Sequence, residues 1–562
     1  MTRGPATQWL ISLRPKPPAG GGSFPSICQD QAMPSLIAPS PVSRYSRPSD
    51  SQAAADAIPI LVDDTYHLFH LATPHNTIHH PPRLRSSWHH LRSKDLVAWA
   101  RDEQPALHPG KTADAPDADG AWTGSAVEGP DANMHIFYTG YNLEHGGKQV
   151  ILHATSSDKH GSTFAQPLTP ITITSPSSAT LFEDIDFRDP YVFFNSAENR
   201  YWMLVATRLA DGPYWTRGCI ALLTSDDLDH WTAEPEPLYA PNDLFCPECP
   251  ELFSLPNGNW YLVYSRFSSP NAGTVYKVAS SPRGPFRTPR AASGGRLDAR
   301  RWYAAKSCPK AGDPSKRVYF GWIADRYHGD GKWLWGGDMG TPREVSANAD
   351  GALVLEPSRE ALHAAFEAAT ELSADSLPPV LELISTGKTS AHFLPMRHTA
   401  DPVDYLFQFT IASHDATSFG LLLRANEDMK GHRLRFEPTA PNRFDVVLLS
   451  DDPPLDDFWA DQYKQYLPRE VDGPEIGRHN GLVVDGPVVV VVQTNVLEIF
   501  VGGRSISYRL PKRSPSETGE LHAKTNDGTL ESTRQETKEL GIFVEDGAVK
   551  LTDVSLRLSE HL

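Results

Sequence analysis

Residues 201–231 read YWMLVATRLADGPYWTRGCIALLTSDDLDHW. The opening YWMLVA is a short aromatic and apolar run, which favours a strand over a helix. The closing TSDDLDHW sets a hydroxyl residue and acidic residues just ahead of Trp231. That is the pattern of an Asp-centred turn delivering an aromatic side chain to the next strand. Both halves recur along the chain. The strand-like runs are YHLFHL from Tyr66, HIFYTG from His135, YWMLVA from Tyr201, WYLVYS from Trp260 and VYFGW from Val318, spaced by 69, 66, 59 and 58 residues. The turn element returns as SKDLVAW ending at Trp99, SSDKHGSTF ending at Phe164 and SSPRGPF ending at Phe286. Units of about 60 residues that cannot bury their own sheets are expected to close radially. The expected fold class is therefore all-β, with a five-bladed β-propeller. The competing reading is a pair of ordinary sandwiches whose strands look alike.

Composition points the same way. The 562 residues include 49 prolines and 40 glycines, and proline stands well above its usual ~5%. Long helices are disfavoured by such a content, whereas short strands joined by turns are not. With 40% hydrophobic and 22% charged residues, the chain can build a large core. The net charge of −17 opposes binding to a polyanion, so nucleic acid is excluded as a partner. No apolar run reaches the length of a membrane-spanning helix, so no membrane partner is expected. The first residues lack the apolar stretch of a secretory signal, and no Asn-x-Ser/Thr sequon occurs, which favours a cytoplasmic protein over a secreted one. Five cysteines are too sparse for a disulfide scaffold.

The chain divides into an irregular Pro/Ser-rich leader over 1–45, the propeller over 46–355, a helical-looking linker over 356–376 and a second β domain over 377–562. In the last, runs such as DYLFQFTI and SFGLLLRA alternate with period two, which suggests a C-terminal β-sandwich. Polar stretches at 451–477 and 511–536 read as long surface loops. VVVVVQ (Val488–Gln493) would invite aggregation at an open edge and is expected in a central strand.

Three acidic residues stand at the entrances of blades: Asp56 before the first, Asp189 before a strand of the third, and Glu248 before those of the fourth. Carboxylates converging on one pocket supply what glycoside hydrolysis needs, a nucleophile or base and an acid. Each taken alone could instead be a turn or cap residue. CPEC (Cys246–Cys249) resembles half of a zinc knuckle, but no second CxxC exists to complete it. The histidine-rich stretch at 75–90 lacks regular ligand spacing. No metal and no cofactor is expected.

In its ordered motifs the chain resembles glycoside hydrolase family 32, the invertase, inulinase and levanase group. FRDP (Phe187–Pro190) matches the family's Arg-Asp-Pro motif and ECP (Glu248–Pro250) its Glu-Cys-Pro motif. WTGS (Trp122–Ser125) stands where the family has Phe-Ser-Gly-Ser, and SSWHHLRSKDLVAW (86–99) matches its tryptophan-rich stretch. TPRE (Thr341–Glu344) and VLEIFVGG (496–503) resemble the close of the propeller and the sandwich hallmark. The resemblance implies a propeller followed by a sandwich. It also implies Glu248 as general acid/base and Asp189 as the catalytic transition-state stabiliser, held with Arg188 to sugar hydroxyls. The family's Asn-Asp-Pro-Asn-Gly nucleophile motif is absent. The best-aligned acid is Asp56 in Ala55-Asp56-Ala57-Ile58-Pro59, with Asp50 as the fallback.

Trp88, Trp122, Tyr303, Trp333 and Trp335 are candidate sugar platforms that could equally be core, and Ser125 and Lys306 are candidate polar contacts. The implied activity is retaining release of terminal β-D-fructofuranosyl residues from sucrose or fructans. The alternatives are an arabinofuranosidase, a fructosyltransferase, or a carbohydrate-binding protein without turnover. The expected partner is a small sugar or oligosaccharide, with a homo-oligomer possible.

Overall fold

The computed structural model describes residues 43–77, 85–175, 181–267, 272–326, 333–373, 376–394, 396, 404–453, 473–511, 522–524, 530–532 and 538–559. Among these, strands dominate. The first blade comprises Ala54–Val62, Thr65–Ala72, Ser87–Ser93 and Ala100–Arg101. The second comprises Gly120–Glu128, Met134–Tyr141, Gln149–Ser156 and Phe164–Ala165. Phe182–Asn195, Arg200–Leu209, Gly218–Ser225 and His230–Ala233 make the third. Glu248–Ser254, Trp260–Arg266 and Gly273–Ala279 make the fourth. The fifth is Trp302–Lys310, Asp313–Arg326, Arg343–Ala347 and Leu353–Pro357. The first strand of each blade is innermost, and these five touch their neighbours in a closed ring. A hairpin strand leaving the fifth blade, Trp333–Met339, pairs Gly337 with Ala54 of the first and latches the ring.

The repeated turn does what its residues suggest. Ser93 Oγ accepts from the N–H groups of Asp95 and Leu96, and Asp95 Oδ1 accepts from Val97 and Ala98. Ser225 and Asp227 make the same bonds around Leu228. In both turns the leucine carbonyl then accepts from the indole N–H of the tryptophan three residues on.

The aromatic so positioned packs on the blade before it rather than stitching its unit to the next. Phe164 of the second blade meets Phe69 of the first at 5.9 Å, and Trp231 of the third meets Phe137 of the second at 5.5 Å. Trp99 of the first blade meets Phe320 of the fifth at 5.9 Å, which carries the pattern across the closure. Such edge-on pairs contribute about 1 kcal/mol each beyond the area they bury.

The predicted 356–376 linker differs from what is seen. Leu353–Pro357 is still the outer strand of the fifth blade, the helix is only Arg359–Ala365, and Thr370–Glu371 already pairs with the sandwich. Most of the leader lies outside the described residues. Within it, Ser43–Ser46 forms a helical turn and Tyr45 is buried, its hydroxyl donating to Gly340 O. Of the two expected loops, 454–472 and most of 512–537 lie outside the described residues. Glu475–Val483 begins a strand inside the first, and His522–Lys524 pairs with Leu530–Ser532 inside the second.

The sandwich is built around Lys538–Ser559, whose first half pairs with Ser418–Ala425 and whose second half pairs with Asp404–His414. Val488–Gln493 is flanked on both sides, by Asp404–His414 and by Val496–Val501, so its valines face no open edge. Arg343 of the fifth blade is fully buried against this domain. It donates to Glu498 at 2.9 Å and to Ser505 and Ser507 at 2.7 Å each, and its guanidinium lies 3.9 Å from the Trp302 ring centroid. A buried cation whose two terminal nitrogens bond Glu498, Ser505 and Ser507 ties the fifth blade to the second domain.

The blades and the sandwich also enclose neutral histidines. Burial, seconded by His90 and His160, pushes His67 down to about 3. Burial, with Arg101 beside it, does the same to His89, again to about 3. His153 and His432 fall to about 4 by burial, the first also beside His135 and the second beside Arg424. The unfolded chain binds these protons from about pH 6.5 downward, so this stability is complete above that pH and is lost as pH falls toward the folded values. Linkage makes the loss on the order of 2 kcal/mol per histidine at pH 5. Thermal melts should therefore show the midpoint falling steeply between pH 6.5 and 5, above the range where carboxylates titrate. A midpoint that holds constant to pH 5 would contradict the burial of uncharged imidazoles.

Candidate active site

The five inner strands share one irregularity. Their pairing slips between Ala55 and Ala57, Trp122 and Gly124, Arg188 and Tyr191, Glu248 and Glu251, and Tyr303 and Lys306. A bulge leaves a residue unpaired and re-aims its side chain. Here the bulges place Asp56, Thr123, Asp189, Cys249 and Ala304 at equivalent points of the ring. Asp56, Asp189, Cys249 and Ala304 have φ of 26°, 57°, 50° and 46°. Left-handed backbone at non-glycine residues costs about 1 kcal/mol or more and collects at functional sites. Pro190 and Pro250 fall inside two of the bulges, where a missing N–H breaks no ladder bond.

The bulges open onto a pocket lined by Asp56, Trp122, Thr123, Asp189, Glu248, Cys249, Tyr303 and Trp335, with Leu71. Asp56 is held at both oxygens: Trp322 Nε1 donates to Oδ1 at 2.9 Å and Thr123 Oγ1 to Oδ2 at 2.6 Å. Glu248 is 3% exposed. Its Oε1 accepts from Arg188 at 2.9 Å and its Oε2 from the Tyr303 hydroxyl at 2.5 Å. Asp189 is anchored through Oδ2, which accepts from the Cys249 N–H at 2.9 Å, while its own N–H donates to Thr139 Oγ1.

Arg188 is buried, which works against its charge, but the carboxylates of Glu248, Asp186 and Asp189 outweigh burial and hold it firmly ionised. It donates to Asp186 at 2.8 Å. Burial, with Asp189 and Asp56 nearby, pushes the Cys249 thiol well above its ordinary value, and burial does the same to Cys246. Both stay protonated, so Cys249 acts through its backbone. Three carboxylates thus converge, one braced by neutral donors, one between a cation and a phenol, one on a backbone amide. That set can attack an electrophilic carbon and protonate a leaving oxygen.

The sequence-derived residues separate into three groups. Asp56, Asp189, Glu248, Trp122, Tyr303 and Trp335 line the pocket, and Arg188 stands directly behind Glu248. Ser125 and Lys306 brace the blades: Ser125 Oγ accepts from Val192 N–H at 2.8 Å, and Lys306 Nζ donates to Gly124 O at 2.5 Å. Trp88 and Trp333 are not platforms in this pocket. Trp88 is fully buried with its Nε1 donating to Trp122 O, and Trp333 lies under Arg301 and against Tyr508. Asp50 is an exposed turn residue outside the pocket. Sequence reading missed Thr123, Thr139, Asp186 and Trp322. Trp322 sits in the quoted run VYFGW and Thr123 in WTGS, so both were visible only as strand or motif residues.

Comparison with known proteins gives a consistent picture. The model of the glycosyl hydrolases family 32 N-terminal domain matches residues 57–357. A beta-fructofuranosidase of Arabidopsis thaliana, insoluble isoenzyme CWINV6, is 26% identical over 53% of this chain and 56% of its own length. A fructan 1-exohydrolase of Bromus pictus is 28% identical over 48% of this chain and 46% of its own. The chain thus matches about half the length of these curated relatives. Fructan 1-exohydrolase IIa of Cichorium intybus superposes with a TM-score of 0.62 over 91% of this chain and 96% of its own, at 19% identity. That likeness establishes the shared propeller-and-sandwich fold.

Proposed function

The chain belongs to glycosyl hydrolase family 32, and from that membership we propose that it releases terminal β-D-fructofuranosyl units from sucrose or fructans with retained configuration. The observation that carries the reading is the pair of carboxyl groups in one pocket: Asp56 fixed at both oxygens, and Glu248 set between Tyr303 and Arg188. The names of the curated relatives, a beta-fructofuranosidase and a fructan exohydrolase, support a fructoside as substrate.

In the first step Asp56 attacks the anomeric carbon, forming an ester bond to the sugar. As the glycosidic bond breaks, Glu248 gives its proton to the leaving oxygen. The donors Trp322 and Thr123 hold the attacking carboxylate in one orientation, so little of its freedom is lost on reaching the transition state. In the second step Glu248, now ionised, takes a proton from water as the water attacks the same carbon, and Asp56 departs. Asp189, clamped through the Cys249 N–H, directs its remaining acceptor capacity at ring hydroxyls. Arg188, bonded to Glu248, offsets the negative charge that Glu248 takes on as it gives up its proton. Trp122, stacked on Tyr141 at 4.0 Å, and Trp335 supply apolar walls.

The test is a product screen by mass spectrometry and proton NMR over sucrose, inulin- and levan-type oligosaccharides and arabinofuranosides. Fructose is the expected product, released first as the β-anomer. Arabinose without fructose, or a first-formed α-anomer, would overturn the proposal, and transfer products without free fructose would identify a fructosyltransferase.

A further inference from the structure

An exposed aromatic pair stands beyond the pocket. Tyr214 and Trp215, in the hairpin between Arg200–Leu209 and Gly218–Ser225, are 53% and 41% exposed. Single exposed apolar residues are ordinary on any protein surface. These two rings meet edge to face at 5.2 Å, and each packs against Phe245, at 5.4 Å and 5.2 Å. Phe245 is buried and lies three residues before Glu248 in one tightly fastened segment. Gly218 N–H donates to Leu244 O at 2.9 Å, and a Cβ at Gly218 would lie 2.5 Å from Phe245 O, so the hairpin and the Glu248 loop meet backbone to backbone.

A second connection is ionic. The Arg208 guanidinium lies 4.2 Å from the ring centroids of both Tyr214 and Phe245, and it donates to Tyr214 O at 2.7 Å. It also donates to Asp186 at 3.1 Å; Asp186 accepts from Arg188 at 2.8 Å, and Arg188 donates to Glu248 at 2.9 Å. The pair therefore has a charged floor that runs without a break to the acid/base.

Glu248 protonates the departing oxygen, so the leaving group emerges on its side of the pocket. Both aromatic rings rest on Phe245, three residues before Glu248, so the pair is carried by the segment that delivers the acid/base. Flat, rigid, half-exposed rings bind sugar faces at small conformational cost. We propose that Tyr214 and Trp215 form a platform for sugar rings on the leaving-group side, fitting the protein to oligosaccharides longer than a disaccharide. This rests on the assignment of Glu248 as acid.

The test compares kcat/KM of the wild type and Trp215→Ala on sucrose and on fructan tri- to pentasaccharides, with Trp215→Phe as the conservative variant. Trp215→Ala should lose about tenfold on the pentasaccharide, through KM, and under twofold on sucrose, with Trp215→Phe recovering most of it. An equal loss at every length, or none at any, would overturn the platform. If the wild type turns over no fructoside, the hydrolase reading falls, and the platform is then judged by calorimetric titration of Glu248→Gln with the pentasaccharide. A tenfold weaker affinity when Trp215→Ala is added supports it, and unchanged or absent binding overturns it.

Discussion

Glu248→Gln should lower kcat on sucrose by about 10³-fold, within the range that general acid–base catalysis supplies, while the thermal midpoint moves little. Glutamine keeps the shape of the side chain. Its amide oxygen still accepts from Arg188, and its amide NH₂ can donate to Tyr303, whose hydroxyl accepts as readily as it donates. Arg188 retains Asp186 as a partner, so no cation is stranded in the core. What is lost is the proton for the leaving oxygen and, in the second step, the base that activates water. The two losses can be separated. An activated aryl fructoside needs no acid to leave, so its release should appear as a fast burst followed by slow turnover. Full kcat on sucrose in this variant would remove Glu248 from the mechanism, and a cooperative melt at the wild-type temperature shows that the loss is chemical rather than structural.

How far the sequence discloses this site depends on which physical property each part uses. The propeller was legible because short aromatic runs recurring at spacings of 58 to 69 residues suit few architectures besides a ring of blades. Asp189 and Glu248 were legible because each sits in a compact motif with a neighbouring proline. The five bulges were not legible, since they are departures in backbone pairing that no residue type demands; left-handed φ at Asp56 and Ala304 is imposed by the ring rather than by local preference. Aromatic residues were the least decipherable. Alternate residues of a strand face opposite ways, so Trp88 and Trp335 read alike in sequence, yet one bonds Trp122 O in the core and the other lines the pocket. The 356–376 segment failed for a different reason. Its apolar spacing suits a helix, but pairing with the fifth blade claims Leu353–Pro357 first, and Ser358 caps the helix one residue later.

Asp56→Asn should abolish turnover by about 10⁴-fold or more, as expected when the nucleophile of a covalent mechanism is removed. The case for this residue rests on geometry, because the family model begins its match at residue 57 and the usual pentapeptide around the nucleophile is absent. Trp322 Nε1 and Thr123 Oγ1 both point at the Asp56 carboxylate. An asparagine fits there with its oxygen toward the indole, which can only donate, and its NH₂ toward the threonine hydroxyl, which can turn to accept. The fold therefore tolerates the change, and only the attacking oxygen disappears. A direct observation follows from combining the two substitutions. In Glu248→Gln the second step lacks its base, so the ester between Asp56 and the sugar should accumulate when an activated fructoside is supplied. Rapid quenching, proteolysis and mass spectrometry should then find one hexosyl group on the peptide containing residue 56. The double variant Asp56→Asn, Glu248→Gln should carry none. An adduct on the peptide containing Asp50, or full turnover in Asp56→Asn, would transfer the role to that exposed turn. It would also leave the two bonds to Asp56 as a structural brace between the first, second and fifth blades.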